Sequence, residues 1–166
     1  MGDKEMNPLR LLFGAGTSNW NSYGYTNVDI RKVSTVDVVC DLSKTLPWED
    51  NSVDEIFAES IFEHIPMGQD YVNSKRVLKE WVRVLKSGAK ITLKLQDMEK
   101  LCAEYLHGSK QTAINYLYGK QDYPLNTHVA GFSKEGIHQL LSEASVINLT
   151  FDATQPYEFK IIGNKK

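Results

Sequence analysis

The spacing of apolar and polar positions divides this chain into short strand-like runs in its first half and longer helical stretches in its second. Residues 9–13, Leu-Arg-Leu-Leu-Phe, form an apolar run of strand length that stops at Gly14-Ala15-Gly16. A second strand is expected from about Tyr25, ending in Asn27-Val28-Asp29-Ile30. A third is expected over residues 36–41, β-branched and closing on Asp41. Residues 42–52 read as a loop, residues 53–58 as a fourth strand, and residues 60–66 as a single turn limited by Pro66. The period then lengthens. Val77, Leu78, Trp81, Val82 and Leu85 share one face of a helix expected over residues 70–86, with Lys86 at its negative end and Gly88 as its left-handed cap. Residues 89–96 alternate strictly, as in a strand with one face less buried than the other. Residues 98–118 read as two helical pieces broken near Gly108, and residues 121–131 as a loop. Ser133 is the expected N-cap of a last helix that turns Ile137, Leu140 and Leu141 inward. Residues 146–152 and 157–163, joined by the Gln155-Pro156 turn, are expected to pair antiparallel.

These elements predict an α/β fold: a doubly wound, seven-stranded, mostly parallel sheet with reduced N-terminal helices and an antiparallel last strand. Residues 17–24 are polar, end in Gly24 and are too few for a crossover helix of about ten residues or more. One sheet face is therefore expected to be thinly covered, and to be buried in a homodimer or by a partner. The same gap bears on chemistry. A strand that stops at glycines lets a ligand lie against the backbone. An acid at the end of the next strand, here Asp29, suits ribose hydroxyls. A dinucleotide also needs a helix N-terminus for its pyrophosphate and a third glycine. Here Asn19 holds the third position and no helix follows. The pattern fits a ligand with a ribose and no phosphate. An ordinary strand-to-loop turn remains the alternative at this point.

Composition narrows the field further. The 166 residues suit one domain, residues 1–166, and a chain this long buries about 70% of its unfolded surface. A formal net charge of −2 leaves no electrostatic footprint for nucleic acid. Cys40 and Cys102 lack metal-like spacing, which points to a reduced, cytoplasmic protein, with Cys40 as a small core residue. No apolar segment is long enough to cross a bilayer, and the polar residues 1–7 lack a signal-peptide core. Gly2 follows Met1, but Met6 stands where a myristoylation site needs Ser or Thr.

Six segments occur in a telling order: Leu12-Phe13-Gly14-Ala15-Gly16; Asn27-Val28-Asp29; Asp41-Leu42 with Leu46-Pro47-Trp48; Asn51-Ser52-Val53-Asp54-Glu55-Ile56; Phe62-Glu63-His64-Ile65; and Arg83-Val84-Leu85-Lys86-Ser87-Gly88. Together they resemble the class I S-adenosylmethionine-dependent methyltransferases, in particular the small "methyltransferase type 11"-like group. The likeness spans residues 9–95, with a looser match over residues 131–163 that includes Gly131-Phe132-Ser133. It implies a Rossmann-like methyltransferase fold, S-adenosylmethionine as cofactor and S-adenosylhomocysteine as product. By the family pattern Gly14, Ala15 and Gly16 pass under the cofactor, and Asp29 holds the ribose diol. Asp41 and the Leu42 N–H read the adenine. Ala58, Glu59 and Ser60 lie near the methionine end, with Glu59 facing the ammonium group. Three departures stand out. No acid precedes the glycine turn, the helices around the first strand are missing, and Ser87 and Ala89 replace the usual residues beside Gly88.

The expected activity is methyl transfer to a small-molecule or glycan-type acceptor. Such a displacement needs alignment above all, so no triad or metal cluster is called for. Residues 97–131 resemble a helical lid on the substrate side. His128, in a polar loop, is the weak candidate for a base. His64 reads first as a packing or capping residue, and Asp97 equally as a substrate contact or an N-cap. His107 and His138 read as helix-surface residues. Trp20, Tyr23 and Trp48 are candidates to line the cofactor pocket, and Tyr116, Tyr118 and Tyr123 to receive a flat substrate. Core or rim packing is the plainer reading of all six. Two other classes compete. One is an inactive methyltransferase-fold binding module or partner subunit. The other is a nucleotide-sugar or NAD enzyme, which the missing phosphate-binding helix disfavours.

Overall fold

A computed structural model describes residues 7–166, so the expectations for Gly2, Met6 and the start of the polar N-terminal segment lie outside the described residues. Seven strands form one sheet: β1 (Arg10–Phe13), β2 (Tyr25–Asp29), β3 (Val38–Val39), β4 (Val53–Glu59), β5 (Leu85–Gln96), β6 (Val146–Ala153) and β7 (Glu158–Lys165). Their order is β3-β2-β1-β4-β5-β7-β6. The first five are parallel, and β7 runs antiparallel between β5 and β6. The helices are α1 (Val72–Val84), α2 (Met98–His107), α3 (Lys110–Tyr118) and α4 (Lys134–Glu143). Asp97, Ser109 and Ser133 each cap a helix by accepting a backbone N–H, so α2 and α3 are two pieces with a break at Gly108, as expected.

The strand period explains how the sheet is covered. Leu11, Phe13, Val28, Ile56, Ala58, Ile91, Leu93, Ile161 and Phe159 are buried on one face, where α1 and α4 pack. Trp81 of α1 is fully buried. Its ring meets Phe13 edge-on at 5.0 Å and Phe62 at 5.4 Å, and its Nε1–H donates to the Leu42 carbonyl at 2.9 Å. The alternate residues form the other face. There Arg10 registers with Tyr25 and Glu55, Glu55 with Lys90, and Phe57 with Thr92. No described α-helix replaces the missing first crossover. Instead the short turn Asn21–Tyr23 lays Trp20 over Phe57 (4.9 Å) and Tyr25 (5.5 Å). Ion pairs cross the rest of this face, among them Glu55 with Lys90 at 2.7 Å and Lys94 with Glu158 at 3.0 Å. Burial, and then the bond to Glu55, push the Tyr25 hydroxyl up to about 12.

Two differences from the pattern-based boundaries have a clear physical cause. The third strand shrinks from residues 36–41 to Val38–Val39. Just ahead of it, Asp37 turns its carboxylate to the Asn27 N–H and the Asn21 side chain, both at 2.7 Å, and its own N–H donates to the Asn27 carbonyl at 2.9 Å, which braces the sheet edge. The long helix ends at Val84, two residues early, and Gly88 does not cap it. Leu85 is apolar and buried because it opens β5. Gly88, at φ +78°, sits in a bulge where the β4–β5 register jumps from Val53↔Leu85 to Glu55↔Lys90. Lys86 pairs with Asp54 at 2.7 Å instead of serving the helix end.

Candidate functional site

The glycine turn at the end of β1 has the geometry its composition suggested. Gly14 and Gly16 have φ of +74° and +55°. A Cβ on Gly14 would lie 2.6 Å from the Ile61 Cβ, so only glycine fits where the turn passes the loop after β4. The Gly14 and Ala15 N–H groups donate to the Val28 carbonyl at 3.0 and 3.1 Å, and the Gly16 N–H donates to the Asp29 carboxylate at 2.8 Å. The turn and the acid, expected to share a ligand, bond directly to each other here, and neither is among the residues lining the two hollows described below.

Asp29 is nearly buried, and it is already engaged. Besides the Gly16 N–H it accepts from the Arg31 N–H at 2.9 Å and from the Arg31 guanidinium at 3.1 Å. Burial pushes its carboxyl up, but the bonds from Arg31 and Gly16 outweigh that and hold it below the usual carboxylate range. The Arg31 guanidinium also lies 4.5 Å from the centre of the Tyr123 ring. An arginine absent from the sequence expectations therefore spans from the acid of β2 to the loop after α3. Its position two residues beyond Asp29 was the available signal.

Beyond this acid lies a hollow of about 230 Å³ lined by Ile30, Asp41, Leu42, Ile61 and His64, among others. One Asp41 oxygen accepts from the Ser43 N–H at 2.9 Å and the Ser43 hydroxyl at 2.6 Å, a turn that fixes the carboxylate. The Leu42 carbonyl is taken by Trp81, whereas the Leu42 N–H has no partner among the described residues. A flat, apolar slot edged by a carboxylate and a free N–H suits an adenine. The residues present fit an adenosine-bearing cofactor on these grounds and on the glycine cradle. Cys40 is only partly buried at the rim of this slot, and burial raises its thiol.

A larger hollow of about 650 Å³ opens on the other side of His64. Its floor is Ser60 and Glu63 from the turn after β4, Gln96 at the end of β5, and Glu158 at the start of β7. Its wall is Tyr116, Tyr123 and His128 from α3 and the loop that follows. The loop is tied to the floor, because the Val129 and Ala130 N–H groups donate to the Glu63 carbonyl at 2.9 and 3.1 Å. That bond pair delivers His128 beside His64, with ring centres 4.7 Å apart. Glu63 is buried, one of its carboxylate oxygens has no partner, and burial pushes its carboxyl up to about 7. Burial lowers both imidazoles, so both are held neutral.

The remaining candidates separate cleanly. Glu59 pairs with Lys94 at 3.5 Å and is not among the residues lining either hollow. Trp20 lies on the open sheet face, Tyr23 is exposed, and Trp48 packs 6.3 Å from Phe13, away from both hollows. Tyr116 and Tyr123 line the larger hollow while Tyr118 is exposed. His107 and His138 are exposed helix residues. Asp97 is the N-cap of α2 and also meets Lys134 at 3.2 Å. Among the described residues no helix is long and apolar enough to cross a membrane.

Known proteins give an independent view of this arrangement. Residues 16–93 match the model of a family described as a methyltransferase domain. No curated protein matches the sequence. A Pyrococcus horikoshii protein of known structure superposes with a TM-score of 0.70 at 18% identity, covering 99% of this chain and 84% of its own. A Thermotoga maritima protein described as a possible histamine N-methyltransferase gives 0.65 at 20% identity, over 95% and 82%. A Haemonchus contortus phosphoethanolamine N-methyltransferase solved with S-adenosyl-L-methionine gives 0.64 at 14% identity, over 96% of this chain and 49% of that one. Strand order and matched segment agree: the chain has the fold of S-adenosylmethionine-dependent methyltransferases, and the methyltransferase-domain pattern runs from Gly16 into β5.

Proposed function

We propose that the protein transfers a methyl group from S-adenosylmethionine to a small-molecule or glycan-type acceptor. The observation that carries this reading is the pair of hollows meeting at His64, one suited to adenine and one large enough for a modest organic molecule. When bound, the cofactor supplies an electrophilic methyl group on a charged sulfur. The chain's own residues bind and orient. Gly14, Ala15 and Gly16 form the backbone turn under the cofactor, reached once the Arg31 side chain moves off Gly16. Asp29 takes the ribose hydroxyls once Arg31 yields, and Asp41 with the Leu42 N–H takes the adenine. Residues 97–131 act as the lid that walls the acceptor hollow and keeps water out. His128 keeps its role as a candidate base, held neutral beside the acceptor space.

Calorimetry with S-adenosylmethionine, S-adenosylhomocysteine and NAD tests the reading. Binding of the first two alone supports it. Silence with all three overturns it in favour of an inactive methyltransferase-fold module, a reading that the Arg31–Asp29 bond keeps in view. The reading also places a second copy of the chain on the open sheet face, where Tyr23 is exposed beside Trp20. Light scattering that finds only monomer at high concentration removes that part.

A further inference from the structure

The larger hollow holds a group of side chains that methyl transfer alone does not require. Glu63, His64 and His128 each offer one donor atom, and the three atoms lie within 4.8 Å of one another. A backbone oxygen meets one nitrogen of each ring. His64 Nδ1 is 3.1 Å from the Thr127 carbonyl, and His128 Nδ1 is 2.7 Å from the Tyr116 carbonyl. A carbonyl can only accept, so the His64 Nδ1 carries the proton and its Nε2 keeps a lone pair; the His128 Nδ1 also lies 2.8 Å from the Gln96 amide nitrogen, and whichever of its ring nitrogens is unprotonated offers the lone pair. The Gln96 amide, 2.6 Å from the same Tyr116 carbonyl, shares that oxygen and steadies the second ring. The third member, Glu63, is 2% exposed and has a carboxylate oxygen with no hydrogen-bond partner. A buried polar atom of that kind costs about 1–3 kcal/mol unless something meets it.

We propose that Glu63, His64 and His128 form a binding site for a divalent transition-metal ion such as Zn²⁺, facing the larger hollow with a coordination position open to it. Two imidazole nitrogens and one carboxylate are a borderline-soft donor set that such ions favour over Mg²⁺ or Ca²⁺. Metal–ligand bonds of about 2.0–2.2 Å place donor atoms roughly 3–3.5 Å apart, so a modest inward rotation of the side chains closes the site. The backbone is already braced for it, since Glu63 is held to the loop of His128 by two hydrogen bonds. All three ligands line the hollow, so the open position would meet an oxygen or nitrogen atom of the bound acceptor. This extends the methyltransferase reading by assigning metal-chelating acceptors to the site, while the metal site itself stands without that reading.

The test uses the full-length, tag-free protein. After equilibrium dialysis against Zn²⁺, elemental analysis is expected to find one ion per chain. Co²⁺ in its place is expected to give visible absorption bands that Zn²⁺ abolishes. Glu63→Gln and His128→Asn are each expected to weaken uptake roughly tenfold or more, with circular dichroism showing that at least one of them stays folded. His138→Asn, on the exposed face of α4, should bind as the wild type does. No stoichiometric uptake by the wild type overturns the proposal, as does full uptake by a folded Glu63→Gln or His128→Asn. S-adenosylhomocysteine binding is measured alongside. Cofactor binding without metal uptake sinks this proposal alone. Metal uptake without cofactor binding supports this site and sinks the methyltransferase reading instead.

Discussion

The two hollows on either side of His64 are built by opposite means. The smaller one is lined by short runs of neighbours, Ile30, Cys40 to Ser43 and the turn after β4, with Leu125 added from the loop after α3. Its edge is fixed locally, since Asp41 is pinned by its own neighbour Ser43, and the glycine turn bonds to Asp29 beside it. The larger one is assembled from distant parts of the chain, with Glu63 and His64 from one turn and His128 from a loop after α3. Local bonds at Asp41 fix the edge of the first chamber. Assembly across the fold makes the second a place where specificity can be set by the loop that closes it.

That contrast can be broken most sharply at Asp29. Replacing it with Ala removes charge-assisted bonds and should weaken S-adenosylhomocysteine binding by about 10- to 100-fold by calorimetry. Metal uptake in the larger hollow should not change. Unchanged cofactor affinity would mean that the acid serves only Gly16 and Arg31.

Gly14→Ala attacks the same chamber through its backbone. A side chain there meets Ile61 at 2.6 Å and must adopt φ +74°. The expected cost is about 1–3 kcal/mol of stability, read as a drop of several degrees in Tm, with weaker cofactor binding because Ile61 lines the adenine slot. A variant with wild-type Tm and affinity would show that this turn tolerates a side chain and is no ligand cradle.

The same contrast decides what could be read from the sequence. The bend at Gly14 and Gly16 and the place of Asp29 at the end of β2 were legible because their geometry is local. A turn, a cap or a strand end announces itself within a few residues. The seven strands and the antiparallel end were legible for the same reason. Leu85 was misplaced because an apolar residue continues a helical stripe whether it ends the helix or opens the next strand. Glu63 carried no local mark of burial. Only the loop that donates two N–H groups to its carbonyl shuts it in, and that loop lies more than sixty positions away. The neighbourhood of His64 and His128 is likewise a tertiary fact. Arg31 was missed for a different reason, since a charged residue after a strand reads as solvated until its partners are seen.

Trp81→Phe gives a smaller effect and sharpens the contrast from beneath. It keeps the aromatic contacts with Phe13 and Phe62 but removes the Nε1–H bond to the Leu42 carbonyl. The expected loss is about 1 kcal/mol in urea denaturation. Freed from that anchor, the adenine-side loop should bind the cofactor a few-fold more weakly. Metal uptake next door should be untouched. If both ligands weaken equally, the two chambers are not independent.

Arg31→Ala should give the smallest effect and the most informative sign. Arg31 links the acid of β2 to the wall of the larger hollow, through Asp29 at 3.1 Å and through the Tyr123 ring at 4.5 Å. A ribose diol needs the same carboxylate oxygens, so the guanidinium competes with it, and any ligand pays to displace it. Removing the competitor should tighten S-adenosylhomocysteine binding by a few-fold, within what one partly exposed ion pair is worth, about 0–1 kcal/mol. It should also free Tyr123 from its cationic partner, raising protease sensitivity in the loop around Tyr123 if that contact holds the lid down. Weaker cofactor binding in this variant would assign Arg31 the opposite role, as a support that aims Asp29 at its ligand. The direction of one modest change therefore decides whether the two chambers compete through Arg31 or cooperate through it.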